Sequence, residues 1–164
     1  MRLLIDGDSC PVLREAEQIA NRYGLPVIVF ADIQRCIHAE YAKVVYVYTA
    51  KGAADRALLN KVKPGDIVLT NDYGLAALAL MRGASCIHSH GFVYTEENIL
   101  PLLTNNHLAK QLRKRKRRKK MVKYGPKTRC NFTRDFPVLI EETIKKNMKH
   151  AYANAKTEKR EDAL

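Results

Sequence analysis

The fold of this chain is decided by its first residues, which read Met1-Arg-Leu-Leu-Ile-Asp-Gly-Asp-Ser-Cys-Pro-Val12. The apolar run from Leu3 to Ile5 predicts a buried β-strand that ends at the carboxylate of Asp6. Asp8 then offers a second carboxylate, and Pro11 suits the first turn of a helix. The order predicts a strand, an Asp-x-Asp loop and a helix. Both acids would lie beyond the carboxyl end of the strand, where open α/β sheets bind ligands.

Strand and helix signals continue to alternate along the chain. Further strands are predicted at residues 27–30, 44–48, 67–69 and 84–87, and helices at 12–22, 52–62, 75–81, 95–103 and from 132. This alternation predicts a single three-layer α/β domain, with a mostly parallel central sheet, helices on both faces and a C-terminal helical region. The domain is expected to span residues 1–150, with a basic arm at about 107–130. Residues 151–164 are expected to form a polar, disordered tail.

Two further acids occupy places equivalent to the opening pair, because Asp55 starts the helix after the third strand and Asp72 follows the fourth. Parallel strands share one carboxyl edge, so Asp6, Asp8, Asp55 and Asp72 are expected to converge there. Four convergent carboxylates repel one another unless a cation neutralises them. Oxygen-only ligands suit Mg²⁺ or Mn²⁺ and thus phosphate chemistry, which predicts a catalytic metal site.

Structural roles for the same acids stay open. Asp8 and Asp72 can cap helices, and Asp55 in a first helical turn is favoured by the helix dipole alone. Asp6 is harder to explain in this way, because an acid at the end of an apolar strand is costly without a partner. Asp66 precedes its strand, so it is expected at the opposite edge of the sheet.

Several neutral or titratable side chains stand near the same loops. The candidate accessory residues are Ser9, Thr70 and Asn71. They could bind the metal or a phosphate, or they could simply cap helices. His88 and His90 can form a metal-binding His-x-His pair, but no matching third ligand is evident. Cys10 is either a reactive thiol or, as we expect, a small buried residue.

The positive charge is concentrated in one segment. The formal net charge is +12, and twelve lysine and arginine residues without any acid lie between residues 107 and 130. An unbroken run of eight cations comprises Arg113, Lys114, Arg115, Lys116, Arg117, Arg118, Lys119 and Lys120. This run predicts sequence-independent contact with nucleic acid phosphates, RNA first. The alternative is a solvated, flexible block of like charge.

Composition excludes other classes of protein. No apolar run approaches the roughly 18 residues of a membrane span, and the first strand leaves no room for a signal peptide. The cysteines, Cys10, Cys36, Cys86 and Cys130, are scattered, which argues against structural zinc and for free thiols in a reducing cytoplasm.

The motifs resemble those of the bacterial YaiI/YqxD family. They occur in this order: Ile5-Asp-Gly-Asp-Ser-Cys-Pro-Val12, Gly52-Ala-Ala-Asp55, Gly65-Asp-Ile-Val-Leu-Thr-Asn-Asp72, Leu75-Ala-Ala, Tyr94-Thr-Glu-Glu-Asn-Ile99, Gly125-Pro126 and Phe132-Thr-Arg-Asp-Phe136. The resemblance implies a PIN-like fold, a class rich in metal-dependent ribonucleases, and an acidic metal site at Asp6, Asp8, Asp55 and Asp72. The family typically has Ala at the positions of Gly7 and Ser9, and Gln at that of Asn71.

Three functions agree with these features. The first is a nuclease that uses Mg²⁺ or Mn²⁺ to hydrolyse phosphodiester bonds, with RNA as its substrate. The second is a non-catalytic RNA- or ribosome-associated protein, in which the acids only cap helices. The third is a phosphatase of the haloacid-dehalogenase type with Asp6 as nucleophile. It also needs a lysine and a late pair of acids, which the sequence does not place.

Overall fold

The computed structural model describes residues 1–8, 10–104 and 125–161. Within these residues, six strands form one sheet in the order β3-β2-β1-β4-β5-β6. The strands are β1 (Leu3–Asp6), β2 (Val27–Asp32), β3 (Lys43–Val47), β4 (Ile67–Leu69), β5 (Ser85–Ile87) and β6 (Val93–Tyr94). The helices are α1 (Leu13–Arg22), α2 (Ala53–Lys61), α3 (Tyr73–Met81), α4 (residues 96–104) and α5 (Pro126–Glu161).

The central strand β1 is fully buried because helices cover both faces of the sheet. β1 pairs in parallel with β2 on one side and with β4 on the other. Leu3 and Ile5 belong to the core shared with α1 and α5, whereas Leu4 faces the core shared with α2 and α3. This alternation follows from the two-residue period of a strand. The predicted three-layer α/β fold with a mostly parallel sheet is therefore confirmed.

The last strand departs from the sequence-based expectation. β6 contains only Val93 and Tyr94 and pairs with β5 in the antiparallel direction. The sequence analysis did not predict it, because two residues carry no periodic signal. The predicted start of α4 is correct, since Thr95 and Asn98 exchange side-chain and backbone hydrogen bonds of 3.0 and 3.3 Å at its N-terminus.

The C-terminal helix is longer than expected at both ends. α5 begins at Pro126, and its buried face includes Phe132 and Phe136. Thr133, near the predicted start, lies inside the helix, where its hydroxyl donates to the carbonyl oxygen of Arg129 at 3.0 Å. The backbone stays helical through Glu161, across residues for which the sequence predicted a disordered tail.

Gly7 follows β1 for a steric reason. A Cβ at this position would lie 2.6 Å from Val29 Cγ1 and 3.0 Å from the carbonyl oxygen of Phe30. The Gly7 N–H donates to that same oxygen at 2.8 Å. Close contact with β2 thus accounts for a residue without a side chain here, and this contact positions the Asp-x-Asp loop.

None of the helices in the described parts of the chain combines the length and the apolar character that crossing a membrane requires.

Candidate functional site

Five aspartates line one cleft at the carboxyl edge of the parallel strands. The cleft has a volume of ≈ 240 Å³, and its acids are Asp6, Asp8, Asp32, Asp55 and Asp72. Small residues of the loop before α2, among them Ala50 and Gly52, complete the lining. The structure therefore brings together the four acids that the sequence singled out, and adds a fifth.

Asp6 is the most buried of these acids, with 5% of its surface exposed. The Thr70 hydroxyl donates to Asp6 Oδ2 at 3.0 Å, and the Asp8 N–H lies 3.3 Å from Oδ1. Thr70 Oγ1 also accepts the Asp72 N–H at 3.0 Å. Thr70, predicted as an accessory residue, thus links the ends of β1 and β4 and holds Asp6 in place.

Asp72 caps helix α3, which is the structural role that the sequence left open for it. Its Oδ1 accepts the N–H groups of Gly74 and Leu75 at 2.6 and 3.1 Å. Among the described residues, no hydrogen bond to Oδ2 is found, and the side chain also lines the cleft. Capping by one oxygen therefore leaves the other available to a ligand.

Asp8 and Asp32 are held on the β2 side of the cleft. Asp8 Oδ1 accepts the Asp32 N–H at 3.0 Å and lies 4.0 Å from Nε of Arg35. Asp32 Oδ1 in turn accepts the Gln34 N–H and the Thr49 hydroxyl, each at 2.8 Å. The sequence analysis missed Asp32, because it ended the second strand at residue 30. The signal was present, since Asp32 follows an apolar run as Asp6 does.

Asp55 has the fewest described hydrogen bonds of the five acids. α2 begins after Gly52, which has a left-handed backbone with φ of 69° and supplies no side-chain cap. Within the described chain, no hydrogen bond or ion pair reaches the Asp55 carboxylate. Its pKa is raised above the ordinary value, first by partial burial and then by the negative charges of Asp6, Asp72 and Asp8. These acids therefore lie close enough to repel one another.

The shared cleft is not a closed coordination sphere. Of the residues that the structure describes, no three His, Cys, Asp or Glu side chains are arranged so that they could enclose a metal ion. The carboxylates converge on one cleft, as the topology predicts, and the bound metal stays a prediction.

The remaining candidates have other places. Asp66 lies at the amino edge, as expected, and pairs with Arg2 at 2.6 Å. Asn71 Oδ1 accepts the Ser89 N–H at 3.0 Å, so it braces a loop next to the cleft. Burial raises the pKa of the Cys10 thiol to about 12, which agrees with a packed rather than a reactive cysteine. Ser9 and the basic run from residue 113 to 120 lie outside the described residues.

The histidine pair is partly buried beside these loops. His88 Nδ1 accepts the His90 N–H at 3.0 Å, and the two ring centroids lie 4.7 Å apart. Burial lowers the pKa of His88 to about 4, so the ring is neutral at pH 7. The hydrogen bond occupies one ring nitrogen of His88, which weakens the interpretation of the pair as metal ligands.

Comparison with known proteins assigns the family. Residues 4–142 match the family model described as "Uncharacterized BCR, YaiI/YqxD family". A UPF0178 protein of Natranaerobius thermophilus is 38% identical over 88% of this chain and 96% of its own. A second, of Alkaliphilus oremlandii, is 36% identical over 92% of this chain and 97% of its own. No solved structure matches the chain, so the PIN-like relationship stays a prediction. The family predicted from the motifs is confirmed: the chain belongs to the YaiI/YqxD family.

Proposed function

We propose that the aspartate cleft binds Mg²⁺ or Mn²⁺ and that the protein hydrolyses phosphodiester bonds, with RNA as substrate. The observation that carries the proposal is the convergence of five aspartates on one cleft, in which Asp6, Asp72 and Asp8 repel the partly buried carboxylate of Asp55. Carboxylates that repel one another in a cleft are stabilised when a cation binds between them.

The donor set fits a hard divalent cation. The ionisable side chains that line the cleft are all carboxylates, which Mg²⁺ and Mn²⁺ prefer to nitrogen or sulfur ligands. Mg²⁺ commonly takes only one or two protein carboxylates and fills its other positions with water and phosphate oxygens. A cleft without three ready-made ligands agrees with that habit.

Three of the acids have roles that follow from their contacts. Asp6 and Asp72 would hold the cation, because Thr70 fixes the first and the α3 N-terminus fixes the second. A bound cation supplies charge neutralisation at the phosphate and lowers the pKa of a water molecule. A carboxylate oxygen of Asp55 would accept a proton from water, since no hydrogen bond within the described chain competes for it.

RNA is proposed as substrate on grounds of charge. The eight consecutive cations at residues 113–120 suit a phosphate backbone, and such contacts give affinity without choice of sequence. Binding should therefore fall steeply as salt is added.

The test is calorimetric titration of Mn²⁺ into the wild type and into Asp6→Asn and Asp72→Asn. An asparagine at residue 72 keeps the oxygen that caps α3 and removes only the charge, so the variant should stay folded. Glu97→Gln, which removes an exposed acid outside the cleft, is the matched control. We expect the two cleft variants to lose Mn²⁺ binding and Mn²⁺-dependent RNA cleavage, and the control to keep both. A folded wild type that binds no Mn²⁺, or cleavage by Asp72→Asn at the wild-type rate, would overturn the proposal.

A non-catalytic RNA-binding role is the second candidate, and the capping geometry of Asp72 favours it. It predicts RNA binding that needs the cations at 113–120, weakens with salt and does not change when metal is removed by chelation.

A further inference from the structure

An exposed aromatic surface lies beside the acid cleft, at the end of the edge strand β3. Tyr48 is 86% exposed, and Ile33 and Tyr46 are 56% and 46% exposed. No hydrogen bond or ring contact of Tyr48 is found among the described residues. A large ring held so far into solvent contributes little to the core and is accessible to a ligand.

Hydrogen bonds on both sides of Tyr48 fix it next to the cleft. The carbonyl oxygen of Val47 accepts the Ile33 N–H at 2.9 Å. The Thr49 hydroxyl donates to Asp32 Oδ1 at 2.8 Å, and Asp32 lines the cleft. The backbone that carries Tyr48 is therefore bound to the turn after β2, and the next residue, Thr49, contacts an acid that lines the cleft.

The two tyrosines lie at the end of β3. Tyr46 belongs to the strand, and Tyr48 follows directly after its last residue, Val47. The Tyr46 hydroxyl is anchored to the backbone of Ile37, with the Ile37 N–H at 3.4 Å. Tyr48 is thus the ring that can meet a ligand, and Tyr46 supports the surface behind it.

Exposed cations lie in the same two segments of the chain. Lys43 and Lys51 are exposed at the two ends of the segment. Arg35 has 60% of its side chain exposed, and its Nε lies 4.0 Å from Oδ1 of Asp8 in the cleft. Aromatic rings interleaved with cations are what a single-stranded nucleic acid requires, because its bases stack while its phosphates contact the positive charges.

We propose that Tyr48 stacks on a base of single-stranded RNA whose backbone enters the aspartate cleft, with Arg35 at a phosphate. The inference rests on the proposed function, since it names the substrate class of the same site. A duplex keeps its bases stacked on one another and cannot offer one to Tyr48. The surface therefore selects single strands and tolerates any base.

The experiment measures fluorescence anisotropy of labelled single-stranded poly(U) and poly(A), and of an RNA duplex, with metal removed by chelation. Tyr48→Ala should weaken single-strand binding about 5- to 150-fold, the range that stacking of one base spans. Tyr48→Phe should bind like the wild type, because stacking needs the ring and not the hydroxyl. Duplex binding should be the same in all variants. Tyr152→Ala, which removes a 78% exposed tyrosine on α5, is the matched control.

The outcomes separate this inference from the proposed function. Single-strand affinity of Tyr48→Ala equal to that of Tyr152→Ala, or an equal loss for strand and duplex, would overturn the stacking proposal even if the wild type cleaves RNA. Tyr48-dependent binding without any metal-dependent cleavage would support the stacking site and refute the nuclease.

Discussion

The two edges of the same sheet place aspartates in opposite surroundings. At the amino edge, Asp66 is 3% exposed and fully partnered, with Arg2 Nη2 at 2.6 Å and the backbone N–H groups of Arg2 and Lys63 at 2.9 and 3.1 Å. At the carboxyl edge, five aspartates share one cleft, and the ion pair described for them is Arg35 at 4.0 Å from Asp8. A buried charge is tolerated where an opposite charge and hydrogen-bond donors surround it, whereas several like charges in one cleft repel one another.

Arg2, the partner of Asp66 at the amino edge, is itself held by several contacts. The hydrogen bonds that Arg2 donates to Asp66 raise the pKa of Arg2, and Arg2 Nη2 also donates to the carbonyl oxygen of Lys61 at 2.6 Å. These contacts join β1, β4 and the end of α2. The amino edge therefore stabilises the fold through an ion pair, while the carboxyl edge gathers five acids whose described hydrogen bonds come mainly from backbone N–H groups and hydroxyls.

The largest expected effect is the loss of the Asp66 carboxylate. Asp66→Ala should lower the free energy of unfolding by about 3 kcal/mol, because it leaves the Arg2 guanidinium and two backbone N–H groups without their acceptor. Urea denaturation followed by circular dichroism measures the change. If the free energy of unfolding fell by no more than it does for an ordinary exposed substitution, the two edges would not differ in their contribution to stability.

A smaller loss should follow from Thr70→Val, which preserves shape and removes the hydroxyl. Asp6 then loses its 3.0 Å donor while staying buried, at a cost of about 1.5 kcal/mol. Thr49→Val is the control, because its hydroxyl serves Asp32 at an exposed position and should contribute little. Equal losses in the two variants, again by urea denaturation, would show that Asp6 is not specially held.

The smallest effect has the opposite sign. Asp55→Asn should stabilise the metal-free protein by about 0.5 kcal/mol at pH 7, since neighbouring acids repel the charge and water screens a half-buried carboxylate. The folded-state pKa of Asp55 lies above its ordinary value of 3.8, so the charged form is disfavoured in the folded protein. The penalty is fully present above the folded-state pKa and disappears as pH falls through it toward 3.8.

Thermal denaturation of Asp55→Asn and the wild type, from pH 7 down to the acid range, checks this sign. The advantage of the variant should shrink as the pH is lowered. A destabilised variant at pH 7 would mean that Asp55 has a structural partner, and the contrast between the edges would fail.

Much of the fold could be predicted because its signals are local. The apolar runs of β1 and β4 and the acids that follow them are adjacent in sequence, so Asp6 and Asp72 were found from the chain alone. Asp55 followed from the rule that parallel strands share one carboxyl edge. The same rule placed Asp66 at the opposite edge.

What could not be predicted depends on partners distant in sequence. β2 extends to Asp32 because Ala31 and Asp32 pair with Tyr46 and Val47, and this pairing brings the fifth acid into the cleft. Glu17 lies at a polar position of α1, yet it is 4% exposed, and its carboxylate accepts the N–H groups of Tyr41 and Ala42 at 2.9 and 2.7 Å. No periodicity encodes such a contact.

The sequence by itself determined the order of strands and helices, the family and the four acids at the sheet edge, because each follows from residue type and spacing. Only the tertiary structure decided that Asp66 is paired with Arg2, that Asp72 caps α3 with one oxygen, and that Tyr48 is exposed next to Thr49, which contacts the cleft. Burial, charge repulsion and hydrogen bonding depend on distances between segments, and those distances exist only once the sheet is assembled.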